Sequence, residues 1–310
     1  MESINVAVDD NITVEGTDVE EDVGTSFQHT DTSENEGVIE SNSEPQAHRA
    51  WYERLIEFLV NNGYRKGGTN KTLFVKEEHV KLMIAQIYVD EIVFGGMSNQ
   101  MVQYFVRHMQ SEFEMGLIGK LTYFLGLQVK QMDDTIFISQ SKYAKNIVKK
   151  FGMESEIYKR TPAPTHLKLT KYEKGGDVDQ SLYKSMIDSS LYLTASRPVI
   201  TFVVGVRARY QSEPKMSHIT QVKKIIKYIN GTSDYGMLYF HNENSMIIGY
   251  CDTDWAGSSD DRKKTYGGYF FLGNNLISLF SKKQKYVSLS TIDAEYIASG
   301  SGFSQLIWMK

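Results

Sequence analysis

The chain is almost without cysteine: among its 310 residues only Cys251 is one, which excludes an internal disulfide and a cysteine-based zinc site and suits a reducing compartment. Long hydrophobic runs are missing too. Stretches such as Ile200 to Val206 are far shorter than the roughly 20 residues a membrane-spanning helix needs. The N-terminus has no basic segment followed by an apolar one, so a cytoplasmic or nuclear location is expected rather than secretion, with no membrane partner. No P-loop or dinucleotide fingerprint occurs, and Gly67-Gly68 and Gly95-Gly96 read as turns. His108, His166 and His218 lack metal-ligand spacing.

One sign of charge is absent from a whole segment. Residues 1–48 hold 13 Asp and Glu and no Lys or Arg, leaving 34 basic against 25 acidic residues in the rest. The first segment is rich in Ser, Thr, Asn, Asp and Glu without periodicity, and is expected to be a disordered acidic tail. The basic remainder suits a polyanion, because neutralising phosphates releases counterions. Ordinary surface lysines would produce the same balance.

Periodicity begins at Trp51. Trp51, Leu55, Phe58 and Leu59 fall at helical spacing, and Asn61-Asn62-Gly63 is a helix stop. A strand is expected over 72–75 and a hairpin over 82–94, followed by a helix capped by Ser98 with Met101, Val102, Phe105, Met109 and Phe113 on one face. Strands near 122–130 and 135–139 precede a helix over 141–151. Thr161-Pro162-Ala163-Pro164 breaks the chain, and the polar stretch to Asp179 reads as a linker. Helices are then expected over 182–193, 200–209 and 218–231. The last carries Val222, Ile225, Ile226 and Ile229 on one face and Lys223, Lys224 and Lys227 opposite, an arrangement that fits a nucleic-acid contact or a solvated face on a core helix. Strands over 246–251, 268–272 and 276–281 and a helix from a Ser290 cap towards Trp308 complete an α+β pattern.

The most specific chemistry lies at Tyr88-Val89-Asp90-Glu91, between the apolar runs Leu82–Ile87 and Ile92–Phe94. An ionised carboxylate beside a packed sheet is costly unless it is solvated or holds a cation, so this pair is a platform for divalent metal. The box resembles the Tyr-X-Asp-Asp motif of reverse transcriptases, with glutamate second. Further segments extend the resemblance in order: Ala50-Trp51-Tyr52-Glu53-Arg54, Leu121 to Val129, Leu191 to Pro198, Gly249 to Gly257 and Ala294-Glu295-Tyr296-Ile297-Ala298. Together they resemble the Pol region of a copia-type long-terminal-repeat retrotransposon, reverse transcriptase followed by ribonuclease H.

That resemblance implies a layout of tail (1–48), partial polymerase palm and thumb (49–165), connection segment (166–245) and the opening part of a ribonuclease H-like domain (246–310). It implies Mg2+ as cofactor. Asp90 and Glu91 would be polymerase ligands, and Asp252, to which Asp254 is a neighbouring alternative, and Glu295 the first nuclease ligands. Leu125 and Gly126 match the primer-grip hairpin, although the residues alone also fit a buried strand with a bulge at Gly126. The family's fingers and first palm aspartate have no counterpart in residues 1–48, where Asp9, Asp10, Asp18 and Asp22 have no strand around them. An internally deleted, C-terminally truncated and catalytically inactive copy is therefore expected, weakly binding an RNA:DNA hybrid or DNA. The alternatives are an interaction module using the acidic tail and a non-catalytic subunit of an intact reverse transcriptase.

Overall fold

A computed structural model describes residues 25–29, 44–89, 91–164, 169–171, 175–241, 246–254 and 260–310. Backbone packing divides the chain into two compact units between Thr122 and Tyr123. The first contains β1 (Thr25–His29), α1 (Glu44–Asn61), β2 (Arg65–Lys66), β3 (Leu73–Glu78), β4 (Lys81–Tyr88), β5 (Glu91–Gly96), α2 (Asn99–Glu112) and β6 (Met115–Lys120). Among the described residues these strands form one antiparallel sheet in the order β2-β3-β4-β5-β1-β6.

Alternation builds the first core. Met83, Ala85 and Ile87 of β4 and Ile92 and Phe94 of β5 are buried at every second position. They pack with Leu55 and Leu59 of α1 and Val102, Phe105, Val106 and Met109 of α2, so large side chains close this layer. The Phe105 ring lies 4.9 Å from Phe94 and 5.7 Å from Tyr64. Each such buried side chain contributes about 1.5–3 kcal/mol of transfer free energy. α2 ends where Phe113 turns to an extended conformation with φ −126°.

Two expectations change here. Thr25–His29 and Glu44 onwards, both inside the stretch expected to be disordered, form β1 and the start of α1; Asp9, Asp10, Asp18 and Asp22 lie outside the described residues. β1 is only five residues long and pairs with β5 on one side and β6 on the other, a non-local arrangement that local composition does not reveal. Ser98 does sit at the N-cap of α2, but its hydroxyl makes no capping bond.

The second unit contains β7 (Tyr123–Phe124), β8 (Leu127–Met132), β9 (Thr135–Ser139), α3 (Ser141–Lys150), α4 (Gln180–Leu193), α5 (Pro198–Arg207), α6 (Met216–Gly231), β10 (Gly236–Phe240), β11 (Ile247–Thr253), β12 (Thr265–Leu272), β13 (Asn275–Lys283) and α7 (Thr291–Met309). Helices α3 to α6 share a core that includes Ile147, Tyr183, Ile187, Ile200, Val204, Val222, Ile225 and Ile229. Asp179 caps α4 by accepting from the Ser181 and Leu182 amides, and α5 starts on Pro198, whose missing amide is not needed at that position. Arg197, buried just before it, donates to Thr232 Oγ1 at 3.0 Å and the Ser233 carbonyl at 2.6 Å, tying α5 to the end of α6.

The boundary expected near 165 is not where compactness divides the chain. β10 pairs along its length with β9, about a hundred residues earlier, in a sheet ordered β10-β9-β8-β7. The stretch expected as a linker is also partly packed: Leu169 is buried in the helical core, and Asp177 bridges Lys215. β11, β12 and β13 form a separate antiparallel sheet with α7 against it. Ser290 caps α7 as expected. Its Oγ accepts from the Asp293 amide at 3.0 Å while the Asp293 carboxylate accepts from the Ser290 amide at 3.1 Å.

Candidate functional site

The box residues occupy the tip of the β4–β5 hairpin. Tyr88 and Glu91 are cross-strand partners, so the connection is a two-residue turn. Val89, its first residue, has φ +52°, a left-handed conformation that is strained for a β-branched side chain. Asp90 lies outside the described residues. Glu91 opens β5, is partly buried, and is also in register with Gln28 of β1. The strand beside this hairpin tip thus comes from the acidic N-terminal segment.

Leu125 and Gly126 form the turn of the β7–β8 hairpin rather than an interior bulge. Phe124 pairs with Leu127, and both turn residues have positive φ, +48° and +79°. This combination belongs to the tight hairpin turn whose twist matches its strands. The Tyr192 hydroxyl donates to the Leu125 carbonyl at 2.6 Å, and a Cβ on Gly126 would run into the same hydroxyl. Glycine is therefore required both for backbone conformation and for the approach of Tyr192. Nothing in the sequence near Gly126 points to a residue 66 positions later.

The lysines of α6 separate into different environments. Lys227 is bonded to Glu156 at 2.9 Å, and this pairing, with Lys223 adding to it, holds the Glu156 carboxyl below its ordinary range. Lys223 is exposed and Lys224 partly so. His218, on the same helix, is fully buried and stacked on Tyr210 at 4.3 Å. Its Nδ1 accepts from the Lys215 amide at 3.1 Å, and its Nε2 lies 2.9 Å from the Thr170 carbonyl. That is a structural role.

In the β11–β13 sheet, packing fixes which face each acid uses. A Cβ on Gly249 would meet Leu306 of α7, and one on Gly302 of α7 would meet the Cys251 sulfur, so Gly249 and Cys251 face the helix. Alternation puts Tyr250 and Asp252 on the opposite face, and the Tyr250 ring contact with Phe271 agrees. Asp252 is exposed and accepts from the Thr253 amide at 2.7 Å. Asp254 accepts from the Thr265 amide at 2.6 Å, and Thr265 Oγ1 also receives Arg209 at 2.8 Å. Glu295 is exposed on α7. Asp252 and Glu295 are thus not gathered on one face. No group of three or more His, Cys, Asp or Glu able to hold a metal ion occurs among the described residues, and Asp90 is not one of these.

Residues 43–165 match the family described as "Reverse transcriptase (RNA-dependent DNA polymerase)", a span containing the β4–β5 and β7–β8 hairpins. The chain is 33% identical over 226 residues to the "Uncharacterized mitochondrial protein AtMg00810" of Arabidopsis thaliana, covering 73% of this chain and 94% of that protein. It is 30% identical over 264 residues to the "Retrovirus-related Pol polyprotein from transposon RE2" of the same plant, and 30% identical over 275 residues to that from transposon TNT 1-94 of Nicotiana tabacum. The chain belongs to the copia-type retrotransposon Pol family. These alignments cover 85% and 86% of this chain, but only 18% and 21% of the two polyproteins, so this Pol-family chain spans about a fifth of their length. No solved structure matches it. No helix among its described residues is long and apolar enough to cross a membrane.

Proposed function

We propose that this chain is a non-catalytic reverse transcriptase and ribonuclease H segment of copia-type Pol that retains sequence-independent binding of nucleic acid. The observation that carries the reading is the facing of the acids: α7, which bears Glu295, packs on the face of β11 opposite to Asp252. Two-metal phosphoryl chemistry requires carboxylates from separate elements converging within a few ångströms. On the polymerase side, Glu91 stands where the family motif has its second aspartate. Magnesium demands octahedral geometry at about 2.0–2.1 Å, so an added methylene displaces the ligand by more than the site tolerates.

Binding would rest on the basic balance outside residues 1–48 and on Lys223 and Lys224, with Lys227 contributing less because Glu156 neutralises it. The Leu125–Gly126 turn would approach the backbone of a strand. The test uses the purified chain with a labelled RNA:DNA hybrid. Primer extension and RNA-strand cleavage with magnesium or manganese should remain at background, while fluorescence anisotropy reports binding that weakens steeply with salt. Robust turnover would overturn the inactivity, and salt-insensitive or absent binding would overturn the residual role.

A further inference from the structure

Helix α7 buries the wrong half of its side chains for an isolated helix. Against the sheet it places Ala294, Ala298 and Gly302, whereas Ile292, Tyr296, Phe303 and Ile307 are exposed by 64%, 75%, 65% and 62%. At about 100° per residue these four fall in one stripe on the side away from the sheet. Ser299 and Gly300, also exposed, occupy the middle of that stripe, and no charged residue interrupts it.

The spacing within the stripe is four, seven, four, and it reads the same in both directions about the Ser299–Gly300 bond. A second copy of α7 laid antiparallel about a two-fold axis at that point sets Ile292 against Ile307 of the second copy and Tyr296 against its Phe303. The small residues fall at the crossing, where they permit the short interaxial distance of close helix packing, about 8 Å. Glu295 lies on the flank of the stripe, and its two copies would stand nine residues, about 13 Å, apart along the axis, so no like charges oppose each other. Such self-complementarity is what an isologous two-fold interface requires, and a heterologous partner would not. From their exposure the four side chains present roughly 500 Å² per copy, about 1,000 Å² over both, which reaches the lower bound of specific interfaces.

We infer that the outer face of α7 is a homodimerisation surface, an antiparallel helix pair centred on Ser299 and Gly300. The interface is small and has no buried charge pair, and the association is expected on the order of 1–10 µM. The test is sedimentation of the full chain across that range, together with variants whose effects depend on the register. Phe303→Glu should weaken the dimer at least tenfold, as should Tyr296→Lys. Both changes in one chain should restore it, because each then faces the other's complement.

Oxidative cross-linking supplies the second arm, in a Cys251→Ser background. Ser299→Cys should form a disulfide-linked dimer, and Ile292→Cys should not, since the two copies of residue 292 would stand about 22 Å apart along the axis. Circular dichroism matching the parent keeps each variant interpretable. A chain that stays monomeric throughout, or one that associates with no preference for the Ser299→Cys link over Ile292→Cys, overturns the inference and leaves the stripe to a different occupant, such as another segment of a longer Pol chain.

Discussion

Helices α2 and α7 both pack against antiparallel sheets, and they do so with opposite choices of side chain. α2 turns Val102, Phe105, Val106 and Met109 inward, where they meet Phe94 and Tyr64. α7 turns Ala294, Ala298 and Gly302 inward and sends its large apolar residues out. The first arrangement stabilises by area removed from water. The second stabilises by close approach, with the Gly302 backbone resting over the Cys251 sulfur, and leaves an apolar surface still to be covered. Strands followed by a helix can thus make a closed core or an open layer, according to which side of the helix carries the bulk.

Truncating the large residues should break the comparison most sharply. Phe105→Ala removes a buried ring from the first core and should cost about 3–5 kcal/mol, read by urea unfolding. Phe303→Ala, measured on dilute monomer, should change stability by less than about 0.5 kcal/mol. Equal costs at the two positions would show that the outer face of α7 is packed within the monomer.

The small residues of α7 give the next test. Gly302→Ala drives a methyl into Cys251 and should destabilise by about 1–3 kcal/mol, with much of the loss recovered when Cys251→Ala is added. Gly300→Ala meets nothing within 4 Å and should stabilise by about 0.5–1 kcal/mol through helix propensity. If the two glycines respond alike, close packing is not what holds α7 to its sheet.

The smallest effect distinguishes the units by pH. Among the described residues of the second unit, three ion pairs hold a carboxyl below its ordinary value: Asp177–Lys215, Glu156–Lys227 and Asp234–Lys145. In each the lysine bond holds the carboxyl below its ordinary value, so the stabilisation is present above 3.8 for the aspartates and 4.5 for the glutamate, and is lost as pH falls through the depressed values. Asp177 in turn raises the Lys215 pKa above 10.5, so that pair also weakens as pH rises through the elevated lysine value. Among the described residues of the first unit one carboxyl is depressed in this way, Glu78 beside Lys76. Acid titration should therefore weaken the second unit slightly more, and added salt should narrow the difference because all these carboxylates are exposed. An acid response that is the same in both units, or insensitive to salt, would remove the pairs as its cause.

What could be read beforehand was local. The apolar periodicities of α2, α3 and α6 are carried by neighbouring residues, as are the β4–β5 hairpin and the Ser290–Asp293 cap, because each is completed by contacts a few positions apart. β1 and β10 escaped because each is five residues long and exists through pairing with distant strands. The β7–β8 hairpin was legible through the family resemblance, whereas the residues alone also fitted a continuous strand with a bulge. Leu125 is a poor residue for positive φ, and the bond that holds it comes from Tyr192 on α4.

The candidate site divides along the same line. The sequence by itself determined the family, through motifs whose order along the chain is covalent, and it determined the hairpin that carries Glu91. Only the tertiary structure decided that Asp252 and α7 lie on opposite faces of β11, that Lys227 is taken by Glu156, and that the bulk of α7 points outward. Facing is a property of packing: alternation states which residues share a side of a strand, but the helix that settles on the sheet selects which side is inside.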